Sequence, residues 1–355
     1  MMIRIPATAK RMVPLALAFL LLFAAAGCSG SEPANNDGQT VQEGDVTLVI
    51  GAYSVVKDAF GELLPKFQDY WLQKTGQRVT FQESYEASGT QARAIAGGFE
   101  ADVAVLAMEG DLDKIEDAGF ISHNWRETGE DGMITRSIVV LGTRPGNPLG
   151  IKGWEDLTRE GVKVLYPNPK TSGGAQWDIN AIYGAGLKLS EEETGEKSPE
   201  FAKSFLEAVH ANVESLDKSG RASMAAFEYG VGDVIVTYEN ELLARIQKGV
   251  DYDIVVPEHT ILIENPAAVV DKNVDRHGTR EVAEAFIDYL HSPDAQRLFV
   301  KHGFRAVEQT VAAETDGQFI QPEGLFDISY LGGWKEVRAN LYAKKGVWYQ
   351  VLAGI

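Results

Sequence analysis

Val162-Lys163-Val164-Leu165-Tyr166-Pro167-Asn168-Pro169-Lys170-Thr171-Ser172-Gly173-Gly174-Ala175, continuing to Gly184, is the stretch on which the reading of this chain turns. Val162 to Tyr166 reads as a short buried strand, Pro167 to Gly174 as a rigid loop, and Ala175 to Tyr183 as the start of a helix. The first N–H groups of a helix have no intrahelical partner, and the aligned peptide dipoles place partial positive charge there. A strand, a glycine turn and a helix start therefore make a trap for an anion. Gly173 and Gly174 carry no Cβ to hold a ligand away, and Ser172 can either cap the helix or donate to the ligand. Taken alone, the loop is equally compatible with an ordinary serine cap.

Working outward, the same pattern recurs. Val46 to Ile50 reads as a strand that ends near Ser54, and Val79 to Phe81 as a strand followed by a helix starting at Ser88. Val213 to Leu216 leads into a turn at Gly220, and Val234 to Tyr238 into a helix at Glu239. Asp102 to Leu106, Ile138 to Leu141 and Ala267 to Val270 read as further strands. Helices are expected at Phe60 to Gly76, with Pro65 bending or restarting the helix, at Asp111 to Ala118, and from Ser198, Thr279 and Ser292. Strand-turn-helix units throughout mean an α/β chain. Ligands of open α/β sheets sit outside the carboxyl ends of strands, so the ends near Ser54, Ser88, Ser172, Gly220 and Tyr238 can converge on one cleft. None of the five presents an obligatory charge at its tip.

With 355 residues, 45% apolar and 24% charged, the chain is long enough for two ordinary domains. The formal charge is −18. Arg4, Lys10 and Arg11 lie in a leader expected to be removed, so the remaining chain carries −18 − 3 = −21, which argues against nucleic acid as a partner. That leader, residues 1–27, has a basic start, an apolar run from Met12 to Ala26 too short for a comfortable span, and small residues before Cys28. Cys28 is the one cysteine and can form no internal disulfide. Residues 28–44 read as a flexible tether.

Enzyme templates are missing. The sequence has no G-x-S-x-G elbow, phosphate-binding Walker loop, G-x-G-x-x-G fingerprint or H-E-x-x-H pair. Its six His residues, among them His123, His210, His259 and His291, lack metal-ligand spacing. Neither a metal nor a cofactor is expected. A serine hydrolase built on Ser172 stays as a distant alternative, and a ligand-free adhesion or sensor role as another.

Asn168-Pro169-Lys170-Thr171-Ser172-Gly173-Gly174-Ala175 resembles the N-P-K-[ST]-S-G-G-A loop of the sulfate-binding proteins of bacterial ABC uptake systems, and Ser88-Gly89-Thr90-Gln91-Ala92 resembles their S-G-K-Q-A turn. Glu100 to Val103, Gly232-Asp233-Val234 with Glu239-Asn240-Glu241, and Gly332-Gly333-Trp334 match in order, so the likeness spans about residues 45 to 345. Residues Ala-Ala-Gly before Cys28 likewise resemble a bacterial lipobox, with Ala25 where Leu is usual. The resemblance implies a two-lobed type II periplasmic-binding-protein fold with the ligand in the inter-lobe cleft. It implies an exported, lipid-anchored, monomeric receptor that hands sulfate or thiosulfate to a permease, with molybdate or phosphate as alternative ligands.

Carried over by position, the implied ligand donors are Ser54, Ser88 (backbone and hydroxyl), Ser172, Gly173, Gly174, Gly220 and Tyr238. Three departures stand out. Ser54 replaces an Asp that uses its backbone N–H, Tyr238 replaces a Trp, and Glu86 in Ser84-Tyr85-Glu86-Ala87 brings a carboxylate near the site. For a sulfate ligand Glu86 is expected to point away. The expected lobes are 45–133 with a return at 248–320, and 134–247, followed by a helical cover at 321–355. This division predicts no single continuous sheet, and it places Ser88 and Ser172 within roughly 15 Å of one another when the lobes close.

Overall fold

The computed structural model describes residues 44–354. The leader and the Cys28 anchor expected from the sequence lie outside them. Nine strands are present: β1 (Val46–Tyr53), β2 (Val79–Glu86), β3 (Val103–Val105), β4 (Met133–Thr143), β5 (Val164–Pro167), β6 (Val213–Asp217), β7 (Val234–Tyr238), β8 (Asp253–Val255) and β9 (Leu262–Val269). The helices are α1 (Lys57–Thr75), α2 (Ser88–Ala96), α3 (Glu109–Asp117), α4 (Gly173–Thr194), α5 (Pro199–His210), α6 (Gly220–Glu228) and α7 (Glu239–Ile246), then α8 (Asp271–His277), α9 (Arg280–Leu290), α10 (Pro293–Lys301), α11 (Gln309–Thr315), α12 (Gly333–Val337) and α13 (Val347–Ala353).

Local chemistry sets several of these boundaries. Ser198 accepts from the Phe201 N–H and Pro199 takes the first helical position of α5, while Ser292 and Pro293 do the same for α10. Gly76 and Gly195 end α1 and α4 in the left-handed conformation. Pro65 neither breaks nor restarts α1, which runs through it. Its face is exposed and the residue four positions earlier is the exposed Gly61, so the carbonyl freed by proline can turn to water.

Parallel pairing joins β2, β1 and β3 on one side and β6, β5 and β7 on the other. The two long strands β4 and β9 run antiparallel between them. The first half of β4 pairs with β9 and its second half with β7 and β8, while the end of β9, Ala267 to Val269, pairs with β3. The hydrogen-bonded path β2-β1-β3-β9-β4-β7-β5-β6 is therefore unbroken, which corrects the expectation of unconnected sheets. The reason is strand length. β4 has 11 residues, enough to serve one partner after another along its length, and β9 starts at Leu262 rather than at Ala267, through Asn265 and Pro266. A register shift between Met133 and Thr135 faces Pro266, where the missing N–H interrupts the ladder.

Packing follows the strands. Phe67 of α1 meets Phe286 and Tyr289 of α9 edge-on and stacks on Trp71. Trp334 of the tail meets Trp177 of α4 at 4.8 Å, and Trp348 meets His210 of α5 at 5.1 Å. The tail thus packs on α4 and α5 through these two tryptophans. No helix among the described residues is long and apolar enough to cross a membrane.

Candidate functional site

Five chain segments end at one small cavity. Its lining includes Tyr53, Ser54 and Val55 after β1, Ala87 and Ser88 at the start of α2, and Pro167, Ser172, Gly174 and Asp178 around the start of α4. Ser219 and Gly220 at the start of α6, and Thr237, Tyr238 and Glu241 around the start of α7, complete the wall with Ala107. Six of the seven positions singled out from the sequence are there. The seventh, Gly173, lies between two lining residues on the first turn of α4.

Close approach explains Gly173. A Cβ built on it would stand 3.0 Å from the Cβ of Ala107, 3.0 Å from Asp111 Oδ2 and 3.2 Å from the Cβ of Ser88. The starts of α2 and α4 are therefore in contact, far inside the 15 Å expected for a closed cleft.

The donors differ in what else holds them. Ser172 caps α4 by accepting from the Ala175 N–H at 3.3 Å, and its own proton remains free to donate; cap and ligand donor are compatible roles for one hydroxyl. Ser219 caps α6 in the same way, accepting from Ala222 at 3.2 Å, and leaves Gly220 as the first helical residue. Ser88 differs from expectation. Its hydroxyl accepts from the Ala107 N–H at 2.9 Å and donates to Asp111 Oδ2 at 2.6 Å, so only its backbone N–H, in the first turn of α2, is left for a ligand. Tyr238 and Tyr53 are buried and neither hydroxyl has a hydrogen-bond partner in good geometry, although Asn265 and Thr135 stand beside them. Burial, and then the charges of Tyr53 and Asp178, push the Tyr238 hydroxyl well above the ordinary phenol range. It remains a proton donor at any physiological pH.

Carboxyl groups are present, but not the one anticipated. Glu86 ends β2 exposed and is not part of the cavity wall. Asp178 and Glu241 are, which corrects the expectation of a lining without charged side chains. Glu241 is neutralised by Arg245 at 3.0 Å and Arg221 at 3.6 Å. Asp178 is 1% exposed, its Oδ1 has no partner, and burial raises its pKa well above the carboxylate range. Sequence reading missed Asp178, Glu241, Tyr53 and Ser219. For the first a signal was present: Asp178 falls four residues after Gly174, on the same helix face.

Arg221 ties the wall together. Its guanidinium reaches the carbonyls of Ser54 and Val55 and the carboxylate of Asp58, each at 3.4 Å, and Lys248 reaches Asp58 at 2.7 Å. No group of His, Cys, Asp and Glu suited to a metal ion occurs among the described residues. The cavity offers about 20 Å³ of positions to the centre of a water-sized sphere. Such a space suits a small compact ion rather than an organic ligand. It is far below the roughly 300–1,000 Å³ that organic ligands occupy.

The family described as bacterial extracellular solute-binding protein matches residues 48–305. A sulfate-binding protein of Synechococcus elongatus is 41% identical over 346 residues, covering 96% of this chain and 95% of the relative. This chain belongs to the sulfate-binding protein family. A thiosulfate-binding protein of Escherichia coli is 33% identical, covering 86% and 91%. The sulfate-binding protein SubI from Mycobacterium tuberculosis H37Rv superposes with a TM-score of 0.76 at 32% identity, covering 83% of this chain and 99% of that one. Members of the family are solute-binding proteins with the two-lobed fold, and the fold of this chain is of that kind.

Proposed function

We propose that this protein captures sulfate, or the closely related thiosulfate, between its two lobes outside the cytoplasm and delivers it to an ABC permease. The observation that carries the reading is the convergence of helix starts on a cavity suited to a small compact ion. The backbone N–H groups of Ser54, Ser88, Gly173, Gly174 and Gly220, with the hydroxyls of Ser172 and Tyr238, make seven donors. At roughly 1.5–3 kcal/mol per hydrogen bond to a charged group, they supply on the order of 10–20 kcal/mol before costs. A micromolar affinity needs a net of only about 8 kcal/mol, which leaves room for dehydrating and immobilising the dianion.

The same reading takes the lobes as 45–133 with 248–320, and 134–247, with β4 and β9 pairing across the division so that the sheets of the two lobes are joined. Cys28 carries a lipid, so that the mature monomer hangs from the outer face of the membrane by the tether. Calorimetric titration with sulfate, thiosulfate, molybdate and phosphate tests the ligand. Sulfate or thiosulfate should bind most tightly, and a protein that takes up neither refutes the proposal. Phosphate is the second reading only if the Asp178 carboxylate stays ionised in the closed cleft, because hydrogen phosphate needs an acceptor for its proton and sulfate does not.

A further inference from the structure

Asp178 is the one group in the cavity wall with no evident role. It lies on α4 one turn after Gly174, lines the cavity, is almost wholly buried, and has one carboxyl oxygen without any partner. No Lys, Arg or His among the described residues pairs with it, in contrast to the other carboxylates nearby. Glu241 on α7 faces Arg245 and Arg221, and Asp111 on α3 faces Lys114 at 2.5 Å.

Two of the neighbouring tyrosine hydroxyls are committed elsewhere. Tyr166 on β5 meets His210 Nδ1 at 2.5 Å, and burial lowers the pKa of that imidazole. Tyr342 in the tail donates to Gln176 O at 2.9 Å and Asn180 Oδ1 at 2.8 Å. Tyr53 and Tyr238, at the ends of β1 and β7, have unpartnered hydroxyls that do not reach Asp178 within hydrogen-bond geometry. A negative charge on Asp178 in the closed cleft would thus be dehydrated and uncompensated, and a dianion beside it in low dielectric makes that state worse. In an open cleft water reaches the carboxyl.

Resting on the anion-capture reading above, we propose that Asp178 is the proton-linked group of the site: ionised when the cleft is open, it takes up one proton as the dianion is enclosed and then offers its O–H to the ligand. The site thereby closes over sulfate plus one proton and gains a further donor in place of an anionic acceptor. Asp178 is on this account a determinant of specificity. The sign follows from linkage. The bound state holds one proton more than the free state at any pH between the ordinary carboxylate range and the higher value imposed by burial, so affinity falls as pH rises through that window.

The test is calorimetric titration of the full chain with sodium sulfate in amine buffers of different protonation heat, which carry no competing oxyanion. The dependence of the heat on the buffer should show net proton uptake with sulfate. The dissociation constant should rise with pH above the ordinary carboxylate range. In Asp178→Asn both effects should vanish, because the amide does not titrate. A second readout needs no variant: the sulfate-induced infrared difference spectrum of the native protein should gain a protonated-carboxyl C=O band. Heats identical in every buffer, proton uptake that survives in Asp178→Asn, or no protonated-carboxyl band would overturn the proton linkage alone. The absence of any sulfate heat would overturn the capture reading and this inference with it.

Discussion

Replacing Tyr238 by Phe isolates one donor. The hydroxyl is buried on a residue only 3% exposed and has no hydrogen-bond partner. It stands 3.7 Å from the point where a Cβ on Gly174 would lie, over the first turn of α4. In the protein without ligand, a closed cleft leaves this hydroxyl unsatisfied at a cost of about 1–3 kcal/mol, so Phe should leave the stability of the ligand-free protein unchanged or slightly higher. With the dianion bound, the same hydroxyl contributes about 1.5–3 kcal/mol as a bond to a charged acceptor. Its loss should weaken sulfate binding by about 10- to 150-fold. Thermal melts with and without sulfate, together with calorimetry, separate the two effects: the melting temperature without sulfate should hold while the sulfate-induced increase shrinks. A variant that loses stability without ligand yet keeps full affinity would refute the reasoning, since the hydroxyl would then be a structural group and not a ligand donor.

Gly173→Ala should act as a wedge between the starts of α2 and α4, because its methyl would meet Ala107, Asp111 and Ser88 at 3.0–3.2 Å. Overpacking of about 1–3 kcal/mol, felt mainly in the closed form, should lower sulfate affinity with little change in the melting temperature of the free protein. Glu86→Gln removes an exposed charge outside the cavity wall and should change binding by less than about 0.5 kcal/mol; a larger loss in calorimetry would put Glu86 back in the site. Cys28→Ala should release the protein from the membrane fraction and leave its anion affinity intact, as fractionation and titration of the released protein would show.

Much of the proposed donor set is readable from sequence because it is locally encoded. A serine or glycine after a strand and before a helix fixes both the cap and the free N–H groups within four residues, and Ser172, Gly173, Gly174 and Gly220 needed nothing more. What was not legible depends on partners distant in the chain. The Ser88 hydroxyl is turned away from its expected role by Asp111, 23 residues later, and no spacing rule connects the two. Glu86 could be placed near the site from sequence, but whether it faces the cleft depends on how the end of β2 sits beside Tyr53 of β1. The crossing strands were read too short for a related reason. Asn265 and Pro266 look like strand breakers, yet Asn265 is held by Thr135 at 3.0 Å and donates to Ala107 O at 2.9 Å, contacts that only the pairing of β4 with β9 supplies.

Those same contacts suggest how closing and binding are coupled. Among the bonds that join the proposed lobes are the partly exposed Arg221 contacts to Ser54, Val55 and Asp58 and, at the lobe boundary, the ion pair of Lys248 with Asp58, together with the buried pair of Arg305 with Glu239 and the Trp177 indole N–H bond to Ala107 O at 2.7 Å. The exposed pairs contribute about 0–1 kcal/mol each. Against closure stand helix-start N–H groups and tyrosine hydroxyls that a closed cleft removes from water, each costing about 1–3 kcal/mol if left without an acceptor. The exposed ion pairs add little, and the donors oppose closure until an acceptor arrives. A tetrahedral anion reverses the sign of every one of those terms at once, so its affinity for the closed form exceeds that for the open form by the sum of the bonds it completes. The equilibrium between open and closed can shift by no more than this difference. The unpartnered donors are thus both the recognition element and the device that makes closure depend on the ligand.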